Sequence, residues 1–140
     1  MAGPVRRAES VLSRETELAL SKFRRFRRHL LKCPRMSEFP VPSDDAMKAA
    51  WLFLEHAGHR LKPAAVVRSA DGGVTICFTN HGHYADIEFC NDGEVLGVTS
   101  NGPGNADVFD VTPSPSGEDY AIARITGSLR SSESPVLRPA

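Results

Sequence analysis

The sequence predicts an α+β fold: an antiparallel β-meander with helices packed on one of its faces, preceded by a basic amphipathic N-terminal helix. Three observations carry that expectation. Across residues 74–98 apolar and polar side chains alternate with period two, as in strands with one buried face. His81-Gly82 and Asp92-Gly93 interrupt the alternation, and glycine there supplies the positive φ of a tight hairpin. On either side of this stretch apolar residues recur at three- and four-residue steps, the period of a helix with one buried stripe. The expected division is a basic helical extension over residues 1–35, a linker over 36–42, the α+β domain over 43–129 and a disordered tail over 130–140.

The first helix covers residues 10–31, where Leu12, Ala19, Phe23, Phe26 and Leu30 share a stripe that Cys33-Pro34 must end. Within it KFRRFRRHLLK is basic and amphipathic. Phe39-Pro40-Val41-Pro42 reads as an extended linker, and Ser43 as the cap of a second helix with Asp44 and Asp45 in its first turn. In that helix Met47, Trp51 and Leu54 are the expected lid of the sheet, and Gly58 is its expected C-terminal residue.

Pairing arithmetic sets the strand registers. A two-residue His81-Gly82 loop places Phe78 opposite Ala85, Ile76 opposite Ile87 and Val74 opposite Phe89, so apolar residues meet throughout. A two-residue Asp92-Gly93 loop places Phe89 opposite Leu96 and Ile87 opposite Val98. Upstream, Asp71-Gly72-Gly73 returns residues 65–69 onto Val74; the two glycines leave the loop length open, and both registers put Val67 on the buried parity. Four strands are expected on these grounds, and residues 107–111 offer a fifth at the edge. A last helix starts at Ser116 or Gly117 and aligns Ile122, Ile125 and Leu129 on one face.

Composition narrows the function classes. A chain of 140 residues with 41% apolar content suits one domain with one core, and no run of about 18 apolar residues suggests a membrane span. No apolar signal-peptide core stands out, so a cytoplasmic location is expected. Cys33, Cys77 and Cys90 show no CxxC spacing; Cys77 and Cys90 fall roughly 13 Å apart along the sheet, too far for a disulfide. The formal net charge is zero, yet residues 1–35 hold ten basic and three acidic residues, a net +7 that the rest of the chain balances.

Four readings compete for the basic segment. It packs Phe23, Phe26 and Leu30 on the body with its arginines solvated; or Lys22, Arg24, Arg25, Arg27, Arg28, Lys32 and Arg35 neutralise nucleic-acid phosphates. The third reading is a membrane surface or partner groove, and the fourth a dispensable extension. On the sheet, the outward parity gives Cys77, Tyr84, Asp86 and Glu88, with Arg68 nearby. Two carboxylates at i and i+2 lie roughly 7 Å apart, a spacing used in acid/base work and equally found on solvated sheets. His81 and His83 form an HxH near Asp86, but no third ligand is secured, so neither a metal nor any other cofactor is expected. A nucleophilic Cys77 would need a base, and its expected neighbour Asp86 would raise the thiol pKa instead.

The order Pro63, Asp71-Gly72-Gly73, Val74-x-Ile76-x-Phe78, Tyr84-x-x-Ile87-Glu88 and Asn91-Asp92-Gly93-Glu94, followed by Ile122 and Ile125, resembles small, mostly uncharacterised bacterial proteins built as helix, antiparallel meander, helix. The resemblance covers roughly residues 43–129 and rests on turn and core positions. It implies a fold and carries no catalytic residue. The expected function is a non-catalytic accessory or protein-interaction module, with a protein partner or self-association between basic arm and acidic body. Its rivals are nucleic-acid binding through the basic helix and a small metal-dependent hydrolase using Tyr84, Asp86 and Glu88.

Overall fold

A computed structural model describes residues 3–32, 40–100 and 104–130. Cys33, Arg35, most of the expected linker, residues 101–103 and the tail from residue 131 lie outside the described residues. The elements run α1 (Gly3–Lys32), α2 (Asp44–Ala57), β1 (Ala65–Arg68), β2 (Val74–Asn80), β3 (His83–Phe89), β4 (Val95–Ser100), β5 (Ala106–Asp110) and α3 (Pro115–Arg130). The five strands form one antiparallel sheet in the order β1-β2-β3-β4-β5, a plain meander.

The central hairpin has the register that apolar matching predicts, with Val74 opposite Phe89, Ile76 opposite Ile87 and Phe78 opposite Ala85. His81 and Gly82 both take positive φ, 47° and 84°, the conformation of a two-residue hairpin turn with the twist of the flanking strands. All six paired residues are buried.

The two flanking registers differ from expectation by one residue. Between β3 and β4 the loop is wider than Asp92-Gly93: the Cys90 amide donates to Glu94 O at 2.9 Å, Gly93 N–H to Cys90 O at 3.0 Å, and Asp92 Oδ1 accepts from Glu94 N–H at 2.9 Å. Phe89 therefore faces Val95, Ile87 faces Gly97, and Leu96 and Val98 turn outward. A glycine occupies this core position because the Phe109 ring lies against it; a Cβ on Gly97 would overlap that ring. Between β1 and β2, Ser69 N–H bonds Gly73 O at 2.8 Å and Gly72 takes φ 106°. That wider turn pairs Val66 with Ile76 and leaves Val67 outward and 43% exposed. Arg68 pairs with Val74, so it sits on the helix-facing side and not beside Asp86 as expected.

All three helices pack on the parity that carries Val74, Ile76, Phe78, Ala85, Ile87 and Phe89. Ser43 caps α2 as expected: its Oγ accepts from Ala46 N–H at 3.0 Å. The lid of the sheet, however, is Phe53 with Leu54. Phe53 is fully buried with its ring 5.7 Å from Phe89, each such burial stabilising by about 1.5–3 kcal/mol. Trp51 is only partly buried and turns toward α1, edge-on to Phe23 at 5.6 Å. Gly58 has φ −60°, an ordinary helical value. Its smallness serves a close approach instead, since a Cβ would lie 3.0 Å from Thr16 Cα and 3.2 Å from Ala19 Cβ.

The apolar stripe of α1, Ala19, Leu20, Phe23 and Phe26, joins the same core cluster. In α3, Ala121, Ile122 and Ile125 are buried and Leu129 packs at the margin, while Ser114 Oγ accepts from Gly117 N–H at 3.1 Å at the helix start. Among the described residues no helix is long and apolar enough to cross a membrane.

Candidate functional site

Because every helix lies on one side, the other face of the sheet has no covering element among the described residues. Strand pairing arranges its side chains in rows. One row runs Val67, Thr75, Glu88, Leu96, Asp110; the next runs Ala65, Cys77, Asp86, Val98, Val108. A shorter row holds Thr79, Tyr84, Ser100 and Ala106. Among the described residues Asp86, Glu88 and Asp110 are therefore the charged members, and no lysine or arginine shares the face. Val67 and Val108 are 43% and 66% exposed, so the surface mixes apolar area with negative charge.

Near its centre three of the predicted residues meet. The Tyr84 hydroxyl donates to Asp86 Oδ2 at 2.6 Å and lies 3.5 Å from the Cys77 sulfur. Asp86 and Cys77 are cross-strand neighbours, and Tyr84 reaches them from two residues away on the same side. Burial among these neighbours raises the Asp86 carboxyl above its ordinary value, partly opposed by the tyrosine hydrogen bond. Burial likewise raises the Cys77 thiol, helped by the charge of Asp86 and opposed by Tyr84. The Tyr84 phenol is pushed upward by burial and by donating to Asp86. All three groups hold their protons more firmly than in water, the reverse of what a thiolate nucleophile or tyrosinate requires.

Other predicted residues are dispersed. Glu88 lies opposite Thr75 and Leu96, outside the tyrosine cluster. His83 falls on the helix-facing parity opposite Asn80, so it does not assemble with Asp86. Cys90, Asp92 and Glu94 bring potential ligand atoms within 4.8 Å of one another at the β3–β4 turn. Asp92 there serves the turn backbone, and burial with the carboxylates of Glu88, Asp92, Glu94 and Asp71 pushes the Cys90 thiol up to about 11.

The basic residues of α1 also separate. Arg24 donates to Glu17 at 2.9 Å and stacks over Trp51 at 5.5 Å. Arg27 turns to the α2 side, near Asp44 and Lys48. Lys22 and Arg25 line a groove against β1, and Arg28 and Lys32 are exposed beyond it.

One polar cluster escaped the sequence reading. His56 bonds Asp119 at 2.8 Å, Arg60 donates to the same oxygen at 3.1 Å, and Glu118 lies 3.7 Å from the His56 ring. His56 lies in the last turn of α2 and Asp119 in the N-terminal part of α3, and the packing of those helices brings them together. The chain matches no known protein family, no curated protein and no solved structure.

Proposed function

We propose that the protein is a non-catalytic interaction module whose open sheet face takes a cationic, amphipathic segment of a protein partner. The observation that carries this reading is Asp86: a half-buried carboxylate framed by Cys77 and Val98, hydrogen-bonded by Tyr84, on a face with three acids and no base among the described residues. Burial leaves its ionised form poorly solvated there, and the Tyr84 hydrogen bond offsets that only in part. An arginine or lysine presented from outside would supply the missing counter-charge, while Leu96, Val98 and Val108 supply apolar contact. The hydrolase reading has less support. Cys77 and Tyr84 hold their protons more firmly than in water, and Glu88 stands apart from both.

A sign test separates this reading from general stickiness. Two amphipathic helical peptides of equal length, one of Leu and Lys and one of Leu and Glu, are titrated into the isotopically labelled protein. The expected result is that the lysine peptide alone shifts amide signals of Thr75, Cys77, Tyr84, Asp86 and Val98. Equal response to both peptides, or shifts confined to the helical layer, would overturn the proposal.

A further inference from the structure

A second surface, on the opposite side of the molecule, carries the opposite charge. From Leu18 to Lys32 helix α1 contains six lysines and arginines and no acidic residue. Its apolar stripe is already spent on the core, through Ala19, Leu20, Phe23 and Phe26. An interfacial membrane helix must insert that same stripe into lipid, so burial of the stripe argues against a bilayer as the ligand. What α1 leaves outside is mainly charge, with Leu18 and Leu31 as separate exposed apolar side chains. Lys22, Arg25 and His29 lie at i, i+3 and i+7 along one side, where they face β1 across an open groove of about 420 Å³ floored by Phe26 and Val66. Arg68 closes the other wall from the helix-facing side of β1, and no carboxylate lines the groove among the described residues.

We infer that this groove between α1 and β1 binds the sugar-phosphate backbone of a nucleic acid without reading its bases. Seven residues of helix separate Lys22 from His29, about 10 Å at 1.5 Å per residue. That span covers about three nucleotide steps at ~3.4 Å of rise along one strand. Arg28 and Lys32 extend the same positive stripe beyond the groove. Among the described residues the ring side chains of the groove are the exposed imidazole of His29 and the buried Phe26, so it presents no exposed phenylalanine, tyrosine or tryptophan on which bases could stack. Sequence-independent contact with phosphates is the mode this leaves. Arg24 and Arg27 lie outside the groove, on the side toward α2.

The test is fluorescence anisotropy of the full chain with labelled single-stranded RNA, single-stranded DNA and duplex DNA, with vesicles containing anionic lipid as a parallel arm. Three phosphate contacts predict affinity about 20- to 40-fold weaker at ~200 mM than at ~50 mM salt, with single strands at the lower end of that range. The double variant Lys22→Gln/Arg25→Gln should lower the salt slope by about two and weaken binding about tenfold or more at the lower salt. Arg24→Gln and the sheet-face variant Glu88→Gln should leave binding within about twofold. Both groove side chains are solvent-facing, and circular dichroism checks that the variants fold. Absence of binding to every nucleic acid at low salt would overturn the inference. So would unchanged affinity in the double variant, or tight capture of vesicles with none of nucleic acid.

Discussion

The two faces of this sheet are made by the same strands, yet they obey different rules. On the helix-facing side, Val74, Ile76, Phe78, Ala85 and Ile87 are almost wholly inaccessible, and their partners across the strands are apolar as well. On the other side, Thr75, Cys77, Tyr84, Asp86 and Glu88 are half-buried by one another and mix hydroxyl, thiol and carboxylate groups. The first face is what folding requires. The second contains a desolvated acid that folding would avoid, and that contrast is the reason to look for function there.

The largest test of the contrast lies in the core. Phe53→Ala removes a ring buried against Phe89 and should cost about 3–5 kcal/mol in urea unfolding. Trp51→Ala, although it deletes a larger side chain, should cost only about 1–3 kcal/mol because the indole is partly exposed and packs on α1. An equal or greater loss for Trp51 would mean that α1, and not the sheet, dominates the stability of the core.

Gly97→Ala comes next, at about 1–3 kcal/mol from overpacking. The added methyl group meets the Phe109 ring, which Arg124 covers at 4.2 Å and Tyr120 meets edge-on at 6.1 Å. Combining it with Phe109→Leu should recover part of the loss, a coupling that a double-mutant cycle reads directly. Additive costs would mean that the ring moves aside freely.

Gly97 also shows where sequence reasoning reaches its limit. The central hairpin was legible because every residue on one parity, apart from Asn80 and His83 beside the turn, is apolar, so a one-residue slip would have exposed the whole set. In β4 the apolar residues Val95, Leu96 and Val98 occupy both parities, and the alternation alone favours the wrong one. The register is settled by Phe109, which fills the space above a glycine from a strand twelve residues away. Short β1 misleads for a related reason: Val66 and Val67 are interchangeable as a pattern, and the five-residue turn from Ser69 to Gly73 decides between them. On the open face, parity and pairing sufficed to bring Cys77 and Asp86 together, but not to exclude Arg68, whose placement depended on that turn.

A smaller effect is expected at the rim of the helical layer. The Asp119 carboxyl is held below its ordinary 3.8 first by the hydrogen bond with His56, then by the charges of His56 and Arg60. A carboxylate depressed in the folded state stabilises the fold above its unfolded pKa, and the contribution is lost as pH falls through the folded value. Asp119→Asn should therefore lower the melting temperature slightly at pH 7, with the deficit shrinking once pH falls below 3.8 and gone only below the depressed folded value. A deficit that persists in acid would assign Asp119 a capping role at the start of α3 rather than an electrostatic one.

The smallest expected change in stability belongs to the residue on which the functional reading depends. Asp86 is raised above its ordinary 3.8, chiefly by burial, so its ionised form costs the folded protein stability at neutral pH. That cost fades as pH falls through the raised value and is gone below the unfolded one. Asn at this position cannot ionise, and its amide oxygen can still accept the Tyr84 hydroxyl that now lies 2.6 Å from Oδ2. Asp86→Asn should thus match or exceed the parent in melting temperature at pH 7 and converge on it near pH 3, while losing the response to the Leu/Lys peptide. A variant that gains stability and loses binding identifies a carboxylate kept for recognition. If instead Asp86→Asn unfolds more readily at pH 7, the tyrosine–aspartate pair is part of what holds β2 and β3 together, and the open face loses its claim to be a binding site.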